Sequence, residues 1–162
     1  MFSAGDKIVY GETGVCNVDN IAPLNVKGAA PDKLYYYLSP VTGSGSICCP
    51  VDTSVFMRPV ISKDEALALI DSYPGIEPAI CSDNRFNHVE AFYKELFRRH
   101  ENTVLFAIIK GLNLRMSDKK VKSTRGEATL KRAKDILYGE LATALEIPFS
   151  SVEAFIAERT AK

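Results

Sequence analysis

No apolar run in this 162-residue chain approaches the length of about 18–20 residues that spans a bilayer, and the N-terminus lacks the charged and apolar zones of a signal peptide. A cytoplasmic protein without membrane contact is therefore expected. There is no Cys-x-x-Cys, and no histidine stands at ligand spacing from Cys16, Cys48, Cys49 or Cys81, so a zinc site is not expected and reduced, structural thiols are. The nucleophile elbow, the phosphate-binding loop and the dinucleotide fingerprint are all missing. His88 and His100 have no H-E-x-x-H around them, and Glu77, Asp83 and Glu90 are scattered. Carboxylates near helix starts serve capping and the dipole. The residues thus advertise no enzyme, no cofactor and no metal. No fixed-period repeat or low-complexity tract is present either.

What is there divides into two grammars. The composition, 46% hydrophobic and 25% charged with zero net charge, is that of a globular protein. Up to residue 61, β-branched and aromatic runs alternate with turn formers, giving expected strands at 8–10, 15–21, 34–39, 46–50 and 55–60. Gly5-Asp6, Gly11 and Gly14 punctuate the first two, and residues 39–45 join the third and fourth as a hairpin. Alternation sets Tyr36 opposite Tyr35 and Tyr37, and Cys48 opposite Cys49. Five short strands predict a compact antiparallel barrel or curled sheet.

At Ser62 the pattern becomes helical. Ser62-Lys63-Asp64-Glu65 is a capping box, and Pro74-Gly75 stops the helix that it opens. Asp83 can cap a second helix to about Arg99, with Phe86, Val89, Phe92, Tyr93 and Leu96 at three- and four-residue spacing. A third, from 103 to about 116, is apolar through Val104, Leu105, Ile108, Ile109 and Leu112. A fourth starts at Thr124-x-x-Glu127 and buries Leu130, Ala133, Leu137, Leu141 and Leu145; Ser150-x-x-Glu153 opens a short fifth. The expected fold is α+β: a small N-terminal β domain, residues 1–61, then an all-α domain of about five helices, residues 62–162.

Charge is uneven along the chain. From Lys110 to Lys134 there are nine cations (Lys110, Arg115, Lys119, Lys120, Lys122, Arg125, Lys131, Arg132 and Lys134) against Asp118 and Glu127. Cations in the loop at 117–123 can reach phosphates, or can simply be a solvated charged loop. Arg98-Arg99 can favour the second helix's dipole, extend the basic surface, or both.

Two stretches carry a resemblance. Phe2-x-x-Gly5-Asp6-x-Ile8-Val9-Tyr10-x-x-x-Gly14-Val15, then Tyr36-Tyr37-Leu38 and Met57-Arg58-Pro59-Val60, resemble the opening of the CarD/CdnL family of bacterial transcription regulators. Leu112-x-Leu114-Arg115 and Ala133-Lys134-x-Ile136-Leu137-Tyr138-Gly139-Glu140-Leu141-Ala142 resemble its helical domain. The resemblance implies a Tudor/SH3-like barrel, shared with transcription-repair coupling factors, that docks on the β subunit of RNA polymerase. It also implies a helical domain on promoter DNA that modulates the open complex, in a protein that is nucleoid-associated through the polymerase and a monomer when free. The strand of Ile47, Cys48 and Cys49 is the expected polymerase edge.

Expected DNA contacts, to backbone and minor groove, are Ile80, Arg85, Phe86, Arg98, Arg99, Lys119, Lys120, Lys122 and Arg125. Many relatives wedge a tryptophan into the distorted minor groove, and this chain has none; Ile80 and Phe86 are the available substitutes, Phe86 being equally a core candidate. A protein-only adaptor, with the barrel as an edge-strand module and no DNA contact, is the alternative reading.

Overall fold

Gly5 takes φ +95°, a conformation that suits glycine, and so lets the chain turn into its first strand. The turn is held by Asp6 N–H to Ser3 O, Ser3 N–H to the Asp6 carboxylate, and Gly5 N–H to Val18 O. The computed structural model describes residues 1–83, 85–117 and 124–161, which form two compact units, Met1–Val60 and Ile61–Lys162.

The first unit is one antiparallel sheet of β1 (Lys7–Tyr10), β2 (Gly14–Pro23), β3 (Leu34–Pro40), β4 (Ile47–Pro50) and β5 (Met57–Pro59), in the order β4-β3-β2-β1-β5. Its register breaks once, by a bulge between Val18 and Asn20 opposite Leu38 and Tyr37. One face collects Ile8, Cys16, Val18, Tyr36, Leu38 and Cys49 into a core, with Phe2, Tyr10, Ile21, Ile47, Val51 and Met57 packed around it. The sheet curls strongly enough for the Tyr10 hydroxyl of β1 to hydrogen-bond Cys49 of β4, across the two intervening strands. It does not close: β4 and β5 are two open edges, so a curled sheet describes the unit and a closed barrel does not. Both edges are short and end in proline, Pro50 and Pro59, which removes donors a closing ladder would use.

In the second unit, α1 (Lys63–Ser72) starts at a complete capping box: Glu65 N–H bonds the Ser62 hydroxyl and Ser62 N–H bonds the Glu65 carboxylate. A 3-10 turn, Tyr73–Gly75, follows. Next come α2 (Phe86–Arg98), α3 (Asn102–Met116), α4 (Thr124–Leu145), a second 3-10 turn (Phe149–Ser151) and α5 (Val152–Thr160).

Helix α3 is the centre, burying Leu105, Phe106, Ile108, Ile109 and Leu112 against Ala133, Ile136, Leu137, Tyr138 and Leu141 of α4. Ala66 and Ile70 of α1 and Val152 and Ile156 of α5 complete the core. Arg159 closes α5 onto α1 through two hydrogen bonds to Asp71, at 2.7 and 3.0 Å.

Two expected caps are placed differently. Asp83 does not cap α2; it accepts the Arg85 N–H at 2.8 Å, and the N-cap is Arg85, without a side-chain bond. Ser150 is absorbed in the second 3-10 turn, so α5 begins at Val152 without a side-chain cap. The two-residue reach of an Asx turn explains the first shift. In the second, Pro148 fixes an extended entry at φ −61° and the chain tightens directly after it.

Candidate functional site

Two surfaces carry the residues singled out by the sequence, one on each unit. On the first unit, β4 pairs only with β3, through Leu38 with Ile47, Tyr37 with Cys48, Tyr36 with Cys49 and Tyr35 with Pro50. Val51 N–H bonds Leu34 O at 3.1 Å, which fixes the phase of the ladder. Ile47 and Cys49 direct their backbone groups at β3, and Cys48 and Pro50 direct theirs outward. Pro50 has no N–H, and its carbonyl is taken by Thr53 N–H at 3.0 Å. Cys48 therefore presents the donor–acceptor pair of this edge, with its thiol exposed on the outer face.

The other two residues expected on that edge point inward. Cys49 is buried in the core and Ile47 packs against it. Burial also pushes the Cys49 thiol up from its ordinary pKa, and pushes Cys16 up to about 11, with the neighbouring Cys49 and Asp19 adding to it. All four cysteines are free thiols, and Cys48 is the exposed one. Tyr36 is buried at 2% exposure, while Tyr35 and Tyr37 are half-buried.

On the second unit the relevant surface surrounds the start of α2. The segment after the 3-10 turn crosses α3 at Gly111, where a Cβ would overlap the Ala79 carbonyl, and Ala79 N–H bonds Ala107 O at 2.9 Å. Just beyond this crossing, Ile80 stands 61% exposed and Phe86 45% exposed. Phe86 is thus a surface ring and Phe97, with Tyr93, fills the core position of α2. The Arg125 guanidinium of α4 lies 3.7 Å from the Phe86 ring centre, a stacked cation–π contact.

Arg85 adjoins this stack, but its side chain is occupied. Its Nε and a terminal nitrogen reach both oxygens of Asp83 at 2.8–3.1 Å. His88 Nδ1 lies 2.6 Å from Asp83 Oδ2 and 3.2 Å from a terminal nitrogen of Arg85. The Arg85 side chain first, then its backbone N–H and His88, draw the Asp83 carboxyl down to about 2.

The structure brings Ile80, Arg85, Phe86 and Arg125 to the start of α2 or onto it, and leaves Arg98 and Arg99 apart. Those two lie at the far end of α2, about 18 Å along the axis at about 1.5 Å per residue. Arg98 reaches Glu95 at 3.8 Å there. Lys119, Lys120 and Lys122 lie outside the described residues.

Much of the remaining positive segment is engaged. Lys110 donates to the carbonyls of Tyr73, Pro74 and Ile76 at 2.9–3.2 Å, so it closes the 3-10 turn after α1. Arg115 hydrogen-bonds Tyr93, whose hydroxyl burial pushes up. Arg132 lies over Phe97 at 4.5 Å. Lys131 pairs with Asp135 at 2.7 Å and Lys134 with Glu153 at 3.0 Å.

Glu140 was not singled out as a functional residue, although it lies within the helical-domain stretch. It is 1% exposed; its two oxygens accept from Ile61 N–H at 3.1 Å and Asn102 Nδ2 at 3.0 Å, tying the first residue of the unit and the first residue of α3 to α4. Only its place amid the apolar positions of α4 signals burial. Among the described residues, no three His, Cys, Asp or Glu side chains group to hold a metal, and no helix is long and apolar enough to cross a membrane.

A small curled sheet with one backbone donor–acceptor pair open on an edge defines an interaction module. Residues 2–61, which make up nearly all of the N-terminal unit, match the family model of the CarD-like/TRCF RID domain. A domain of this kind points to interaction with RNA polymerase in general. The search of curated proteins finds no match to the chain.

Proposed function

We propose that this protein is a non-enzymatic transcription regulator in which residues 1–61 dock on the β subunit of RNA polymerase and residues 62–162 contact promoter DNA, modulating open-complex stability. The observation that carries it is the RID assignment of residues 2–61 joined to the open Cys48 edge of β4. A partner strand placed there gains two backbone hydrogen bonds at Cys48, while side chains on both faces supply specificity. The curled sheet is consistent with a Tudor/SH3-like half-open barrel. Nucleoid association would follow from the polymerase contact.

The helical unit's part is supported by Phe86 and Arg125. A ring held half-exposed under a guanidinium, with Ile80 exposed six residues earlier in the chain, offers an apolar face and a phosphate-seeking charge at one place. Partial insertion between base steps of a melted or bent promoter uses that combination in place of tryptophan. Such contacts stabilise whichever promoter state exposes the step, so no cofactor is required.

Retention of core polymerase by the full-length chain tests the docking half. Replacing Cys48 with proline removes an outward N–H without touching the ladder to β3, and is expected to abolish retention while the protein stays folded. Undiminished retention would contradict edge pairing. The adaptor reading keeps one supporting observation, the pairing of Lys131 and Lys134 with carboxylates, which lowers the free positive charge of α4. It predicts that Phe86→Ala leaves promoter binding unchanged. The DNA reading predicts a loss of about tenfold, the low end of the ~1–3 kcal/mol carried by a stacked base.

A further inference from the structure

Arg85 and Asp83 form a contact whose geometry exceeds its structural use. The other ion pair with two described hydrogen bonds, Arg159 with Asp71, joins α5 to α1 across 88 residues. Arg85 and Asp83 are two residues apart, and beyond each other their side chains reach, among the described residues, only as far as His88 in the first turn of α2. The turn they share is already held by the backbone bond from Arg85 N–H to Asp83 Oδ1. What the side-chain bonds add is the occupation of one guanidinium, beside an exposed ring with a second guanidinium stacked on it. An Arg fork fits a carboxylate and a phosphate in the same bidentate way.

We propose that Asp83 is an intramolecular stand-in for a DNA phosphate: it holds Arg85 in the free protein and yields it when the helical unit meets nucleic acid. This rests on the DNA reading above. The exchange is feasible because the pair is solvent-facing, with Arg85 mostly exposed, and such pairs are screened by salt. His88, on the same Asp83 oxygen, keeps the carboxylate partnered after Arg85 leaves. The device lowers affinity for arbitrary DNA, since a phosphate contact at Arg85 must first displace an internal anion. Among the described residues at the start of α2, Arg125 lies on the Phe86 ring, not on a carboxylate.

The test is the salt dependence of full-length protein binding to a short duplex with a central mismatched bubble, followed by fluorescence anisotropy. Asp83→Asn keeps the Oδ1 acceptor for the Arg85 N–H but removes the competing charge. It is expected to tighten binding about three- to tenfold at low salt and to steepen the slope of log K against log salt by about 0.9, the value of one added phosphate contact. Glu90→Gln, which removes an equal charge from the exposed side of α2, is expected to leave the slope unchanged. Arg85→Gln in the Asp83→Asn background should return binding to that of the wild type.

If the wild type shows salt-dependent binding and Asp83→Asn behaves as Glu90→Gln does, the exchange is overturned and the DNA reading stands. If no variant shows salt-dependent binding, both fall. Binding by Asp83→Asn alone supports the exchange outright.

Discussion

Glu140 and Gly111 show what single residues decide in the helical unit. Truncating the buried carboxylate in Glu140→Ala removes the acceptor of the Ile61 N–H and one bond of the Asn102 amide, and losing the acceptor of a part-buried donor costs about 1 kcal/mol or more. Chemical denaturation should report that loss in the helical unit. Gly111→Ala drives a methyl into the Ala79 carbonyl, and overpacking of that kind costs about 1–3 kcal/mol. Neither role is visible in a list of residues, because each depends on a partner far along the chain.

The thiols, by contrast, are ordered by the strand alternation that placed Cys48 and Cys49 on opposite faces. Cys48 should react with a maleimide at once in the native protein, and Cys16 only on unfolding. Because the Cys16 pKa is raised to about 11, its burial favours the native state fully below the unfolded thiol pKa of 9.0. That stabilisation is lost as pH rises from 9.0 through about 11, so alkaline unfolding should move to higher pH in Cys16→Val. Asp83 behaves oppositely: its contribution is present above 3.8 and is lost as pH falls toward about 2.

At the scale of elements, local chemistry was readable where it acts within a few residues. The Ser62 capping box needs only its own four positions, and the structure shows both of its bonds. The hairpin of β3 and β4 follows equally from two β-rich runs and a Gly/Pro-rich connection. The face that α2 buries was not readable, since Phe86 and Phe97 both fit a helical stripe and the crossing of α3 decides which is covered. The basic segment misleads for a related reason: Lys110 is spent on three carbonyls that lie more than thirty residues earlier.

Helix ends offer a direct check. Glu146, just past α4, takes φ +56°, a left-handed conformation that glycine adopts without penalty. Glu146→Gly is expected to stabilise the helical unit by about 0.5–1 kcal/mol, read as a raised melting temperature.

At the scale of the whole molecule, two separately built units offer two kinds of contact: a strand edge reduced to one open backbone pair, and a helical surface where Arg125 stacks on the exposed Phe86 ring. The first unit carries the match to the RID domain, and of Ile47, Cys48 and Cys49 only Cys48 directs its backbone groups away from β3. The second carries the function proposed for it on side-chain geometry alone.

The most direct measurement places a photoreactive benzoylphenylalanine at Phe86 in the full-length chain and crosslinks it within a reconstituted polymerase–promoter complex. Crosslinks to promoter DNA at the edge of the melted region are the predicted result. Crosslinks to protein alone would contradict DNA bridging and leave the adaptor reading in its place.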